Sequence, residues 1–249
     1  MTRIGAQLYT VRKLLTTNEN IQTTLTAIKA LGYDTVQLYG SVEQMEACAQ
    51  GAEAAGLAIC GALVSMTVCE EQASQLFRIC KQYRIPDIGI SSSPKECTQT
   101  ESYIRRVNAF AAKARQEGFT FSYHNHGHEF IKPEGKETVM DRFLQGFDAN
   151  AVDFMPDTYW IHDGGCDVRH FLEQTKYRVR LLHLKDLKRT PQGHTFAELG
   201  NGNLWFKGIL DTALACGIRE FIVEQDICDG DPLDSLRQSY TYLKTLLEG

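Results

Sequence analysis

A closed barrel of eight β/α units is the fold class that the sequence predicts, and three observations carry it. Strand-like apolar runs alternate with helix-like stretches along the whole chain. Four of the junctions share one punctuation, a helix-like stretch that closes on glycine and is followed at once by a strand-like run. The chain has 249 residues, about the length that eight such units need.

The four junctions read "LGYDTVQLY" at 31–39, "AGLAICGALV" at 55–64, "EGFTFSYHN" at 117–125 and "CGIREFIVEQ" at 216–225. Glycine just past a helix end takes the left-handed conformation at little cost. The stretches ahead of it have helical spacing, as in Ile21, Leu25, Ile28 and Leu31, or Tyr103, Val107, Phe110 and Ala114, so each buries one stripe. In order, the strand-like runs lie near 4–9, 35–39, 57–64, 87–91, 119–125, 152–157, 179–186 and 220–226. Strict alternation implies parallel pairing, because a parallel return needs a crossover of about a dozen residues. A doubly wound open sheet would carry a glycine-rich phosphate loop after its first strand, and none follows "IGAQLY". No linker or low-complexity run divides residues 1–249, which read as one domain.

With 43% hydrophobic and 23% charged residues, the composition is that of an ordinary globular protein. A net charge of -5 argues against gripping a polyanion, and so against a nucleic-acid partner; a small, neutral or lightly charged ligand fits better. No window approaches the roughly 18 apolar residues of a membrane span, and "MTRIGAQLYTVRKLL" lacks the apolar core of a signal peptide. No membrane partner and a cytoplasmic location are therefore expected. The eight cysteines, without a C-x-x-C pair, read as reduced, packed thiols.

A barrel's chemistry lies at the carboxyl ends of its strands. Gln7 and Tyr9 end the first strand here, Gln37 and Tyr39 the second, His124, Asn125 and His126 the fifth, and Asp157 the sixth. The seventh ends on His183, Lys185 and Asp186, the eighth on Glu224, Gln225 and Asp226, and the opposite ends carry no comparable cluster. Strand parity puts His183 with Lys185, Glu224 with Asp226, and His124 with His126. A glutamate, an aspartate and a histidine converging on one mouth can hold a divalent cation through oxygen and imidazole donors, and Glu129 can supply a fourth. A lone His or Asp at a strand end is more often a cap; the coincidence across strands five to eight outweighs that reading. His128 and His162 read as rim residues. "ELGNGNLWF" at 198–206 reads either as a turn ahead of packed Trp205 and Phe206 or as a loop that brings Glu198 to the mouth.

In sum of its motifs, the chain resembles the sugar phosphate isomerase/epimerase family, the xylose-isomerase-like TIM barrels that also include inosose dehydratases and endonuclease IV-type enzymes. The resemblance covers nearly the whole chain and rests on "GAQLYTVR", "YHNHGHEF", "PDTYW" with "GG", "LLHLKD", "ELGNGN" and "FIVEQD", in that order. It implies one divalent metal ion, Mn²⁺, Mg²⁺ or Zn²⁺, held by Glu129, Asp157, His183 and Glu224, with a histidine the alternative to Glu129 on strand five. It further implies proton abstraction next to a carbonyl of a small sugar or keto-sugar. Glu224 and Glu129 would transfer the proton, with His126 the alternative base and Lys185 polarising an oxygen. Gln7, Tyr9, Tyr39, His124, Trp160 and Glu198 would meet the substrate. Many relatives end strand two with a "VE" pair where this chain has "VQ", with Gln37. A sugar- or metal-binding barrel without turnover, and less readily an endonuclease IV-like phosphodiesterase, are the rival readings, and homo-oligomerisation is left open.

Overall fold

The computed structural model describes residues 2–133 and 135–248. Its strands are β1 (Arg3–Gln7), β2 (Thr35–Tyr39), β3 (Ala58–Val64), β4 (Asp87–Ser91), β5 (Thr120–His124), β6 (Asp153–Met155), β7 (Leu181–Leu184), β8 (Asp186–Thr190), β9 (Gly193–Ala197) and β10 (Glu220–Val223). Eight of them form one parallel sheet in the order β6-β5-β4-β3-β2-β1-β10-β7. Two isolated parallel bridges, Phe154 to Val179 and Asp157 to His183, join the two ends of that sheet and bring it round into the expected barrel. The seam itself therefore sets Asp157 beside His183.

Gly32, Gly56, Gly118 and Gly217, the glycines of the four repeated junctions, all have φ between 71° and 106°, as the helix-to-strand turns require. The predicted stripes are buried: Ile21, Leu25 and Ile28 on the helix Asn18–Ala30, and Tyr103, Val107, Phe110 and Ala114 on Thr100–Gln116. They belong to the main hydrophobic core, which packs the helices against the outside of the barrel. Inside it, a small separate cluster of Cys60, Met155, Leu181 and Ile222 fills the middle layer. Ile222 and Met155 occupy space left by Gly5 and Gly89, where an added Cβ would come within 2.7 and 2.9 Å of them.

The pleat then decides what lies on either side of that apolar layer, since residues two apart share a face. Glu220, Asp153 and Asp87 lie toward the amino-terminal end, and Glu224, Asp157 and His183 toward the carboxyl-terminal end. The amino-terminal end thus does bury charge, against expectation, but in local sets. Arg3 pairs with Glu220 at 2.6 Å, Arg180 with Asp153 at 2.6 Å, and Asp87 accepts from Thr120 at 2.6 Å and Ser122 at 2.8 Å.

Three elements depart from the sequence expectation. β1 ends at Gln7, whose side chain accepts the Tyr9 N–H and starts a 3₁₀ turn over Leu8–Leu14. β6 is cut short because Pro156 has no N–H to donate and Asp157 caps the helix Thr158–Asp163. Beyond β7 the chain forms an unexpected antiparallel hairpin, β8 with β9, rather than a plain loop. All eight cysteines are free thiols. No helix among the described residues is long and apolar enough to cross a membrane.

Candidate active site

At the carboxyl-terminal mouth, ligand atoms of His124, Asp157, His183 and Glu224 all lie within 4.8 Å of one another, and all four residues are buried. β5 delivers His124, Asp157 stands two residues beyond β6, β7 carries His183, and Glu224 follows β10. His183 is gripped from two sides, with Nδ1 at 2.9 Å from Glu224 Oε2 and Nε2 at 2.8 Å from Gln37 Oε1. Gln37 sits where the β2–β3 register shifts, and its Oε1 also accepts from Gln7 Nε2. Gln7 and Gln37 are both fully buried and form a neutral scaffold behind His183.

Lys185 reaches into the same group. Its ammonium is 3.1 Å from Asp157 Oδ2, 3.1 Å from Glu224 Oε2 and 2.9 Å from Asp226 Oδ1. Burial works against the Lys185 charge, but the three carboxylates outweigh it and hold the amine protonated far into the alkaline range. Burial likewise opposes ionisation of Glu224, yet Lys185 and His183 hold its carboxyl well below the usual range. For Asp157 burial wins over Lys185, and its carboxyl is pushed up to about 6. Asp226 is raised in the same way.

Three carboxylates share one ammonium, so the mouth is richer in carboxylate than in cation. His124 Nδ1 is buried and unpartnered, and burial with the neighbouring His183 and His126 pushes that imidazole well below its usual value, so it is a neutral donor at pH 7. Asp157 Oδ2 has no hydrogen bond and meets only the Lys185 ammonium. Two imidazoles and two carboxylates fit a divalent ion of the Mn²⁺, Mg²⁺ or Zn²⁺ type, with His124 Nδ1 and Asp157 Oδ2 already open and His183 exchanging a hydrogen bond for the ion.

Glu129 stands elsewhere. It is completely buried, with Oε1 accepting from Tyr123 at 2.6 Å and from Ser92 at 3.0 Å, and Oε2 accepting the His126 backbone N–H at 2.8 Å. Its group is a second one, with His126 and His128. The reason is parity: Tyr123 points outward from β5 into Phe143, Phe147 and Phe154, and Glu129 folds back onto the Tyr123 hydroxyl. His126 faces the mouth, stacked on His128 and backed by Trp160. Burial, then Lys185, lowers its pKa to about 4, and its Nδ1 has no partner.

A cavity of about 710 Å³ opens over this centre, and Tyr9, Tyr39, His124, His126, Lys185, Glu224 and Asp226 line it. Trp160 supports His126 from behind, Gln7 is interior, and Glu198 is tied at 2.7 Å to Ser235 on the helix Pro232–Glu248. Asp186 turns away from the mouth and accepts four backbone N–H groups, those of Leu187 and Leu204 at 2.8 and 3.2 Å and those of Gly200 and Gly202 at 3.0 Å. Phe196 of the hairpin stacks on Tyr159 and comes within 5.9 Å of the Lys185 ammonium. Sequence reasoning did not find Asp226 as a partner of Lys185, for which its shared parity with Glu224 was the available signal; the strand-five histidine it kept as the alternative to Glu129 is the one the structure groups with Asp157, His183 and Glu224, namely His124.

Residues 25–246 match the family model of the xylose isomerase-like TIM barrel, and the chain belongs to that family. Its fold is similar to a sugar phosphate isomerase/epimerase from Parabacteroides distasonis, with a TM-score of 0.80, 20% identity, and 98% of this chain and 94% of that one covered. It is also similar to a xylose isomerase-like TIM barrel protein from Mycobacterium smegmatis in complex with magnesium, at 0.73, 16% identity, and 99% and 97% coverage. A third likeness is to 3-keto-D-glucoside 4-epimerase from E. coli, at 0.71, 16% identity, and 98% and 100% coverage. No curated protein matches the chain.

Proposed function

We propose that this barrel is a divalent-metal-dependent sugar isomerase or epimerase, with keto-sugar dehydration as the sister reaction, that removes a proton from the carbon next to a carbonyl. The observation that carries the reading is the buried His124, Asp157, His183 and Glu224 group, whose His124 and Glu224 line a cavity. A metal held by these four residues would supply Lewis acidity toward substrate oxygens. The bound magnesium of the similar M. smegmatis barrel supports that assignment.

The chain's own groups account for the proton movements. Glu224 is ionised and faces the cavity, and His126 is neutral with an unpartnered Nδ1, so both can accept a proton. They follow β10 and β5 and approach a central substrate from different directions. Glu129 takes the role of a positioning residue, because it fixes the His126 backbone rather than facing substrate. Lys185, charged throughout, donates a hydrogen bond to the oxygen on which enediolate charge develops. Return of the proton to the opposite face of the same carbon gives epimerisation, return to the neighbouring carbon gives isomerisation, and loss of a β-hydroxyl as water gives dehydration.

The test is incubation of metal-loaded protein with ketoses, keto-inositols and 3-keto-glycosides in deuterated water. One carbon-bound hydrogen should exchange in at least one of them. A fully loaded protein that binds such sugars yet exchanges no hydrogen would be a binding barrel and not an enzyme.

A further inference from the structure

The cavity is lopsided. Its chemical residues, His124, His126, Lys185, Glu224 and Asp226, lie on the side of β5, β7 and β10, while the rest of its lining runs from Tyr9 over the ends of β2, β3 and β4 and onto the three helices Met66–Glu71, Pro94–Cys97 and Thr100–Gln116. At ~30 Å³ per water, 710 Å³ holds about two dozen water-sized groups, whereas one hexose has about a dozen non-hydrogen atoms. The half over β2 to β4 is thus room that a single sugar ring bound at the chemical residues leaves empty.

That half has a definite character. Tyr39 meets Tyr9 edge to face at 5.3 Å, and its hydroxyl accepts from Gln44 at 2.9 Å, so the ring is fixed. Leu63 and Met66 add apolar surface, and Thr67 and Gln99 add hydroxyl and amide groups. Its charges are few: Arg106 is held by Glu70 through two hydrogen bonds of 2.7 Å and lies 3.7 Å from Glu96, which leaves Lys95 as a single lining cation without an ion pair among the described residues. Aromatic, apolar and neutral polar groups together suit a sugar ring or a neutral aglycone. A phosphate would need an unpaired cluster of cations there.

Resting on the sugar reading above, we infer that the substrate is a neutral keto-glycoside, with the reacting ring at the chemical residues and its glycosidic substituent over β2 to β4. Neither a free monosaccharide nor a sugar phosphate uses that half as built.

The test compares a keto-monosaccharide, the keto-disaccharide built on it and the phosphorylated keto-sugar, each with Mn²⁺-loaded wild-type protein and with Thr67→Trp and Gln99→Trp. These two exposed positions line the distant half, and thermal melting checks that the variants fold. The disaccharide should exceed the monosaccharide by about tenfold or more in kcat/KM, and the tryptophans should remove that advantage while leaving the monosaccharide within about twofold. Equal kcat/KM for mono- and disaccharide, preference for the phosphorylated sugar, or equal losses on both substrates in the variants would overturn the inference. If no sugar turns over, the enzyme reading fails first; calorimetric binding of the same sugars then decides the inference separately, with tighter disaccharide binding, lost in the variants, supporting it and equal binding sinking it.

Discussion

At the amino-terminal end of the barrel each buried carboxylate has its own partners, whereas at the carboxyl-terminal end three carboxylates share one ammonium. Glu220 has Arg3 and the Thr35 hydroxyl, Asp153 has Arg180, and Asp87 has two hydroxyls. The arginines reach these sites from half-exposed positions, so their charge stays partly hydrated and the desolvation cost is modest. At the mouth, Lys185 is fully buried and outnumbered, and His124 and His126 present ring nitrogens with no partner. The same side-chain chemistry is paired locally at one end, with Asp87 Oδ2 left without a partner, and is shared and left open at the other. Closed sets hold a fold together, and open ones are what a ligand can complete.

The mouth should respond most strongly through activity. Glu224→Gln keeps an oxygen donor but removes the proton acceptor, so turnover should fall about 10²- to 10⁴-fold at restored metal occupancy, with thermal stability little changed. Steady-state kinetics beside metal analysis reads this, and a variant within a few-fold of wild type would move the base to His126.

Next in size is Lys185→Met, which takes away the buried ammonium shared by three carboxylates. Metal-free protein should lose about 3 kcal/mol of stability, because Asp157 and Glu224 are left facing each other. Divalent-ion affinity should rise by about tenfold or more, because the competing charge is gone. Denaturant melts and chelator competition measure the two effects, and a variant with weaker metal binding would contradict the charge argument.

The amino-terminal end should respond through stability alone. Arg180→Ala leaves Asp153 without its cation and should cost about 1 to 2 kcal/mol, discounted because the arginine is half exposed, with kcat unchanged in the folded fraction. Asp87→Asn should go the other way. Burial raises the Asp87 carboxyl to about 6, above its unfolded value, so the folded state binds the proton more readily and the ionised form is a burden above that pH. The asparagine should therefore gain about 1 to 2 kcal/mol at pH 8, and the gain should shrink as the pH falls from about 6 toward 4. Urea melts across that range test it; a gain independent of pH would remove the buried charge as its cause.

Much of this contrast could be read in the chain. The glycine-closed helices gave the barrel, because a helix end with φ above zero leaves a local mark, and parity put His183, Lys185 and Glu224 on the mouth side. What escaped depended on distance in sequence. Asp226 belongs with Lys185 across 41 residues, and the amino-terminal pairs join Arg3 to Glu220 and Arg180 to Asp153. No local pattern records such partners. Glu129 was placed by its proximity to strand five, but a 3₁₀ turn over His128–Phe130 carried it to the outward side of the strand, where the Tyr123 hydroxyl waits. The hairpin was hidden because its strands are mostly polar, with Leu187 and Phe196 the main apolar marks of an inner face.

Asp186 sets terms for how this chain can change over generations. Both of its oxygens accept two backbone N–H groups, so an amide in its place would press an NH₂ against donors, and Gly202 leaves no room for a Cβ beside it. The segment 199–204 is therefore locked in length and in residue type to one position, the first residue of β8, just beyond His183 and Lys185. The hairpin tip at 190–193 carries no such bond to the barrel among the described residues and is free to lengthen or shorten. Variation in length can accumulate there while the segment joined to Asp186 is inherited intact.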